Sequence, residues 1–230
     1  MERKKFIYGF AHYRTDLGDG VRTGVYFGNC PGACSEVCMQ FKRIKEHDFA
    51  DDTKEKYMYS AEELIDYLRE EKTLFPSKPL GISFLGMEPL SDYDFCEKVA
   101  LGIKKLNMTL QISTCGLCDP SDYSAISGLC ELFYFRLFSP IPGIRPLVPG
   151  YSFDRVWDNL LYFERRKIPY RLLIPVIQGM NTYTAEGFSA VASSMKSMKS
   201  VVLDFTQSGF NENEKVEFQN HFYRRNLVLY

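Results

Sequence analysis

The sequence predicts an α/β fold in which short strands alternate with helices around a parallel sheet, wound as an open barrel or as a doubly wound sheet. Three observations carry this. Short apolar runs of strand character recur between longer segments of helical period. The early helical segments open on residues suited to capping, and no low-complexity linker or internal repeat interrupts the alternation. A chain of 230 residues, 45% hydrophobic and 25% charged, also has the material for one full-sized core and little room for two. We therefore expect a single domain over 1–230, with a core of about 16–206 and a C-terminal extension of about 207–230.

Taken in order, the strands are expected at Val21 to Phe27, Leu80 to Leu85, Thr109 to Thr114, Leu132 to Phe138, Arg171 to Ile174 and Val201 to Thr206. Between the first two lies Ser60-Ala61-Glu62-Glu63, a capping-box pattern that starts a helix near Ala61. Asp92 caps a helix carrying Phe95, Val99, Ile103 and Leu106, and Ser121 one carrying Tyr123, Ile126 and Leu129. Later helices are expected over Asp154 to Arg165, Thr184 to Met198 and Glu212 to Tyr223. Parallel strands joined by helices cross over right-handed, and such folds place their chemistry at the carboxyl ends of the strands. The Pro- and Gly-rich stretch from Ser139 to Gly150 follows the fourth strand and reads as a surface loop or lid beside that end.

Charge and composition exclude several classes of function. Lys plus Arg is 28 and Asp plus Glu is 29, a net charge of −1, so no global field favours nucleic acid or a membrane surface. The apolar stretch from Phe6 to Ala11 is too short for a secretory signal, and no run approaches the roughly 18 residues of a membrane span. The expectation is a cytoplasmic protein with neither a nucleic-acid nor a membrane partner. Seven cysteines, an odd number, argue for metal ligation or reactive thiols over a disulfide framework.

Cys30, Cys34 and Cys38 lie directly after the first strand, in a C-x3-C-x3-C arrangement. Three thiolates on one loop can hold three corners of an iron-sulfur cubane. Structural zinc, which needs four ligands, stays open because Cys115 and Cys118 supply a C-x-x-C pair, and so do unligated or redox-active thiols. The other strand ends supply polar groups. Gly86-Met87-Glu88-Pro89 ends the second strand, with a glycine where a ligand can approach the backbone and an acid that can accept from an ammonium group. The same residues also read as a strand-to-helix turn, with Pro89 in the first helical position. Thr114-Cys115-Gly116 ends the third strand. Cys96 and Cys130 read as core residues, and the Phe133-Tyr134-Phe135 run as packing within a strand.

Asp19-Gly20-Val21-Arg22-Thr23, Val25-Tyr26-Phe27-Gly28-Asn29-Cys30, Ser83-Phe84-Leu85-Gly86-Met87-Glu88-Pro89-Leu90 and Ile174-Pro175-Val176-Ile177-Gln178-Gly179-Met180-Asn181 occur in the order seen in radical S-adenosylmethionine enzymes. Over about Asp16 to Thr206 the chain resembles the glycyl-radical-enzyme activating enzymes, the group that includes pyruvate formate-lyase activase. The resemblance implies a partial (βα)6 barrel, a 4Fe-4S cluster, and oxidoreductase chemistry in which S-adenosylmethionine is cleaved reductively to methionine and a 5′-deoxyadenosyl radical. It implies Cys30, Cys34 and Cys38 as catalytic cluster ligands, with Gly86, Met87 and Glu88 at the methionine ammonium. Thr114 and Gly116 fall near the ribose and carboxylate, and Val37, Ile177 and Gln178 near the adenine. It further implies a glycyl radical enzyme as partner and a flavodoxin-like or ferredoxin-like electron donor.

The chain departs from the family pattern in definite places. The family motif is C-x3-C-x2-C, one residue shorter than the motif here, and Gly-Gly-Glu-Pro has become Gly-Met-Glu-Pro. Arg136 and Phe138 stand where activases often carry Asp-x-Lys, and Leu173 stands where a basic residue is typical. Arg171 lies two residues before Leu173, on the same strand face, so Arg136 and Arg171 are candidates for the positive charge that meets the cofactor carboxylate. Two other readings stay open: the same radical acting on a small molecule, and a barrel that has lost catalysis and binds a partner.

Overall fold

The computed structural model describes residues 4–28, 58–74, 80–140, 152–178, 181–205, 209–223 and 227–229, and among these described residues there are nine strands and six helices. In chain order these are β1 (Lys5–Arg14), β2 (Val21–Phe27), β3 (Met58–Tyr59), α1 (Ala61–Thr73), β4 (Leu80–Gly86), α2 (Tyr93–Lys105), β5 (Thr109–Thr114), α3 (Pro120–Ile126), β6 (Leu132–Arg136), α4 (Phe153–Arg166), β7 (Tyr170–Pro175), α5 (Ala185–Ser194), β8 (Met198–Asp204), α6 (Glu212–Asn220) and β9 (Leu227–Leu229). The alternation expected from the sequence is present, and all six expected strands form. Among the described residues, no helix is long and apolar enough to cross a membrane.

The chain groups into two compact units, the first built mainly from β1 to β5 with α1 to α3, the second mainly from β6 to β9 with α4 to α6. In the first unit the strand order is β3-β1-β2-β4-β5. The β2-β4 and β4-β5 pairs are parallel, whereas β1 runs antiparallel to both β2 and β3. β4 is buried along its whole length, as expected of a parallel strand covered on both faces. Ser60 caps α1 through a capping box with Glu63 and Asp92 caps α2, both as the sequence indicates. Leu64 and Leu68 of α1 and Val99 and Ile103 of α2 are buried, and the Phe27 ring meets Phe84 edge-on at 5.0 Å. Lys5 reaches the capping carboxylate Asp92 at 2.6 Å, which ties β1 to the start of α2.

The second unit is a parallel array in the order β6-β7-β8-β9. Phe133 and Phe135 of β6, Phe163 of α4 and Tyr170 of β7 form an edge-to-face aromatic core with ring centroids 5.0–6.3 Å apart.

Four details differ from the sequence expectation. β1, β3 and β9 were not expected; β1 carries register shifts on either side of Gly9 to Ala11 that break its two-residue period, and the other two strands are very short. α3 starts at Pro120 behind Asp119, so Ser121 lies inside the helix and does not cap it. α5 stops at Ser194 because Met195 is extended and the amides of Lys196 and Ser197 are captured by the Glu164 carboxylate at 2.8–3.0 Å, after which Met198 opens β8. The tail expected as one helix to Tyr223 ends α6 at Asn220 and later returns as β9 beside β8.

Candidate functional site

In the first unit β2 and β4 end in register, Phe27 opposite Gly86. Gly86 has φ +93°, and a Cβ there would fall 2.7 Å from the Phe27 nitrogen and closer still to its carbonyl oxygen. Only glycine allows this approach. The next amide, Met87 N–H, donates to that carbonyl at 3.0 Å, and Gly28 N–H donates to Phe6 of β1 at 3.1 Å. The segment that leads to Cys30 is thereby anchored to neighbours on both sides. Cys30, Cys34, Val37 and Cys38 lie outside the described residues.

Glu88 follows in an extended conformation at the head of a 3-10 turn, Pro89–Ser91, and its side chain is fully buried. The turn reading of this motif is thus correct for the backbone, while the side chain takes no part in capping. Instead Glu88 Oε2 accepts from Thr114 Oγ1 at 2.9 Å. Thr114 Oγ1 lies 2.9 Å from the hydroxyl of Tyr123 on α3, and Cys118 N–H donates to that hydroxyl at 3.2 Å. Because the Thr114 proton goes to Glu88, Tyr123 must donate to Thr114. The three bonds therefore point one way and end on the carboxylate, a polarised chain of the kind that strengthens in a dry interior. Gly86, Met87, Glu88 and Thr114, all expected at the site, are brought together at neighbouring strand ends.

Burial also fixes the state of the thiols. Cys96, Cys115, Cys118 and Cys130 are all buried and free of disulfides. Desolvation, followed by the nearby acids Asp92 and Glu88, pushes the Cys96 thiol well up; desolvation and then Glu88 do the same for Cys118. Cys130 is pushed up to about 12, again chiefly by desolvation. Tyr123 is raised by burial and then by Glu88, and Tyr170 by burial and then by Glu164. Within the C-x-x-C pair Cys118 is therefore held as a neutral thiol and Cys115 is a buried cysteine outside any disulfide, and among the described residues no group of three or more His, Cys, Asp or Glu residues could hold a metal.

These groups set a direction with pH. In the folded chain they hold their protons above pH 9, where unfolded thiols and then phenols release theirs, so the unfolded state binds fewer protons and stability falls as pH rises. Each group contributes a slope of about 1.4 kcal/mol per pH unit above its unfolded value. The urea midpoint, measured in reductant at fixed ionic strength, is expected to drop between pH 7.5 and 9.5. A flat profile would contradict the burial of these groups.

In the second unit Gly116 lies against the Phe135 ring, and its carbonyl accepts from the buried Asn159 of α4 at 2.8 Å. Arg136 closes β6 and is 1% exposed. Tyr134 stands opposite Arg171 and Arg136 opposite Leu173, so both arginines point to one face of the β6-β7 pair. The Arg171 guanidinium donates to the Tyr134 hydroxyl at 2.9 Å and lies 5.7 Å from its ring centre. Ile177 N–H is held by Asn181 Oδ1 at 2.8 Å, while Asn181 Nδ2 donates to the carbonyls of Phe138 and Pro175. Gln178 lines a cavity of about 360 Å³ with residues of α5, α6 and their flanking turns.

Several of these polar groups escape sequence reasoning. Tyr123, Asn159 and Asn181 are buried and organise the strand ends, yet nothing in their local pattern separates them from ordinary helix and loop residues. Asp204 is different: it is a buried acid that closes the apolar run Val201-Val202-Leu203, in register with Pro175, and that position was a usable signal.

No protein-family model matches the sequence, and no curated protein does. Solved structures do match. A domain of the pyruvate-formate lyase-activating enzyme from Bacteroides vulgatus aligns at TM-score 0.57 and 17% identity, covering 65% of this chain and 98% of that one. SuiB from Streptococcus suis, bound to S-adenosylmethionine, aligns at TM-score 0.54 and 15% identity over 74% of this chain, which spans 43% of SuiB. TYW1 with a lysine-pyruvate adduct aligns at TM-score 0.57 and 12% identity, covering 86% of this chain and 72% of that one. What the chain shares with these proteins is the fold, the partial (βα) barrel of the radical S-adenosylmethionine type.

Proposed function

We propose that the chain is a radical S-adenosylmethionine enzyme that generates a glycyl radical on a partner protein. The observation that carries this reading is the placement of Cys30, Cys34 and Cys38 on the segment leaving β2, whose root is pinned to β1 and β4 in a fold of this type. Three thiolates suit a 4Fe-4S cluster and leave one iron open to the amino and carboxylate groups of S-adenosylmethionine. When bound, the cluster supplies the electron that cleaves S-adenosylmethionine into methionine and a 5′-deoxyadenosyl radical, which takes a hydrogen atom from a glycine Cα to give 5′-deoxyadenosine.

The chain's own residues bind and orient. Gly86, Met87 and Glu88 meet the ammonium group, Thr114 and Gly116 the ribose and carboxylate, and Arg136 and Arg171 bring positive charge to the carboxylate. Val37, Ile177 and Gln178 border the adenine. A polypeptide substrate is supported by the matched structures themselves, one of them an enzyme that activates pyruvate-formate lyase and another SuiB, also solved with its precursor peptide SuiA. A flavodoxin-like or ferredoxin-like protein is the proposed electron donor.

Anaerobic reconstitution is expected to load iron and sulfide in the amounts of one 4Fe-4S cluster per chain, and reductant with S-adenosylmethionine should then yield 5′-deoxyadenosine. Failure to load, where a control with the C-x3-C-x2-C spacing succeeds, would overturn the reading. It would favour instead a barrel that binds a partner without catalysis, the alternative motivated by the longer cysteine spacing. Glu88→Gln is expected to weaken S-adenosylmethionine binding about tenfold, the scale of one lost charge-assisted hydrogen bond, with cluster content unchanged. Unchanged affinity would return Glu88 to a structural role, as the acceptor of the bond from Thr114.

A further inference from the structure

The second unit contains a cavity of about 360 Å³ whose walls are chemically lopsided. Tyr183, Phe210 and Phe218 give it aromatic surface, and Glu214, Glu217 and His221 line it from α6 and the residue after it. The spacing of three and four between these polar residues puts them on one face of the helix, with Phe218 between them. No lysine or arginine is among the described residues that line it, and Lys215 of the same helix is paired with Glu212 at 2.6 Å. Glu214 gives one oxygen to the Asn211 amide at 2.8 Å, while Glu217 has no hydrogen-bonding or ionic partner among the described residues. Tyr183 is 69% exposed, so an aromatic face is presented to whatever enters.

We propose that this cavity binds the lysine or arginine side chain of a partner polypeptide. Aromatic faces attract cations through the ring quadrupole, and carboxylates supply the charge-assisted hydrogen bonds that fix an ammonium or guanidinium head. The volume lies at the small end of ligand cavities, which suits one long side chain whose backbone stays outside. An anionic or nucleotide ligand would face two carboxylates with no lysine or arginine among the described lining residues to offset them. The assignment does not depend on radical chemistry: the two readings share Gln178, which also lines this cavity, and the test below uses neither Gln178 nor S-adenosylmethionine, so their failures are distinguishable.

The test uses the full chain and four capped tripeptides, Gly-X-Gly, with X as arginine, lysine, citrulline or norleucine, in calorimetric titrations to about 10 mM, the weak limit for a single-side-chain ligand. The arginine and lysine peptides are expected to bind at least about tenfold more tightly than the neutral pair, consistent with a desolvated cation. Glu217→Gln and Tyr183→Ala, both changes at exposed positions, should each cut that affinity about tenfold with the melting temperature unchanged. No binding by either charged peptide, equal binding by the citrulline peptide, or insensitivity to both substitutions would overturn the proposal. Free arginine binding as tightly as its peptide would overturn the polypeptide assignment and identify a small-molecule cation.

Discussion

Alanine at position 86 is expected to lower stability by about 3 kcal/mol, a drop in melting temperature of roughly 6–12 °C for a chain of this size. Two costs add. The backbone sits at φ +93°, and the new Cβ runs into the Phe27 backbone, which cannot swing aside as a side chain would. To make room, β2 and β4 must part at their carboxyl ends, breaking the bond from Met87 N–H to the Phe27 carbonyl. Gly20→Ala separates the two costs, since Gly20 has φ +82° but nothing within 4 Å of an added Cβ. It is expected to lose only about 1–2 kcal/mol. Thermal and urea denaturation of the two variants provide the check, and equal losses would show that the contact with Phe27 is unimportant. Because Phe27 stands at the root of the cysteine segment proposed to hold the cluster, that proposal further predicts a lower iron content after reconstitution of Gly86→Ala.

Thr114→Val is the second large effect. It keeps the volume of the side chain and removes the hydroxyl that donates to Glu88 and accepts from Tyr123. A hydrogen bond to a buried carboxylate is worth about 1.5–3 kcal/mol, so a loss of about 2 kcal/mol is expected, with Thr114→Ser recovering most of it. Tyr123→Phe removes a neutral donor one step further from the charge and should cost about 1 kcal/mol. If the valine and phenylalanine variants lose the same amount, the bonds do not converge on the carboxylate and the polarity assigned to the chain is wrong. Urea midpoints of the three variants decide this.

How far the sequence can be read depends on the length scale of each signal. Ser60 with Glu63, and Asp92 ahead of Phe95, are contacts within one helical turn, and both are found where the sequence indicates. The strands from Val21 and Thr109 form within the expected bounds and are buried over nearly their whole length. β1 failed this test because its bulges shift the side-chain alternation, and α5 was drawn too long because its end is set by Glu164, some 30 positions earlier. The site divides in the same way. Gly86, Glu88 and Thr114 are legible because they end strands, but the bond that joins Glu88 to Thr114 spans 26 positions and leaves no local trace. The polar hold of Asn181 on three strand-end backbones is equally invisible, since any asparagine in a loop looks alike.

The antiparallel β1 beside β2 has a consequence for how the protein can be handled. With β1 on one side and β4 on the other, β2 is an interior strand, and even Phe27 and Gly28 at its exit have main-chain bonds to their neighbours. Amides in such a position open only with the unit as a whole, so those of Val25 to Phe27 should rank among the slowest in the chain to exchange with deuterated water. The bonds that give this protection are main-chain bonds within the sheet. On the function proposed above, chain exposed to air should therefore keep the same slow-exchanging set, so that loss of the proposed cluster would call for reloading and not for refolding.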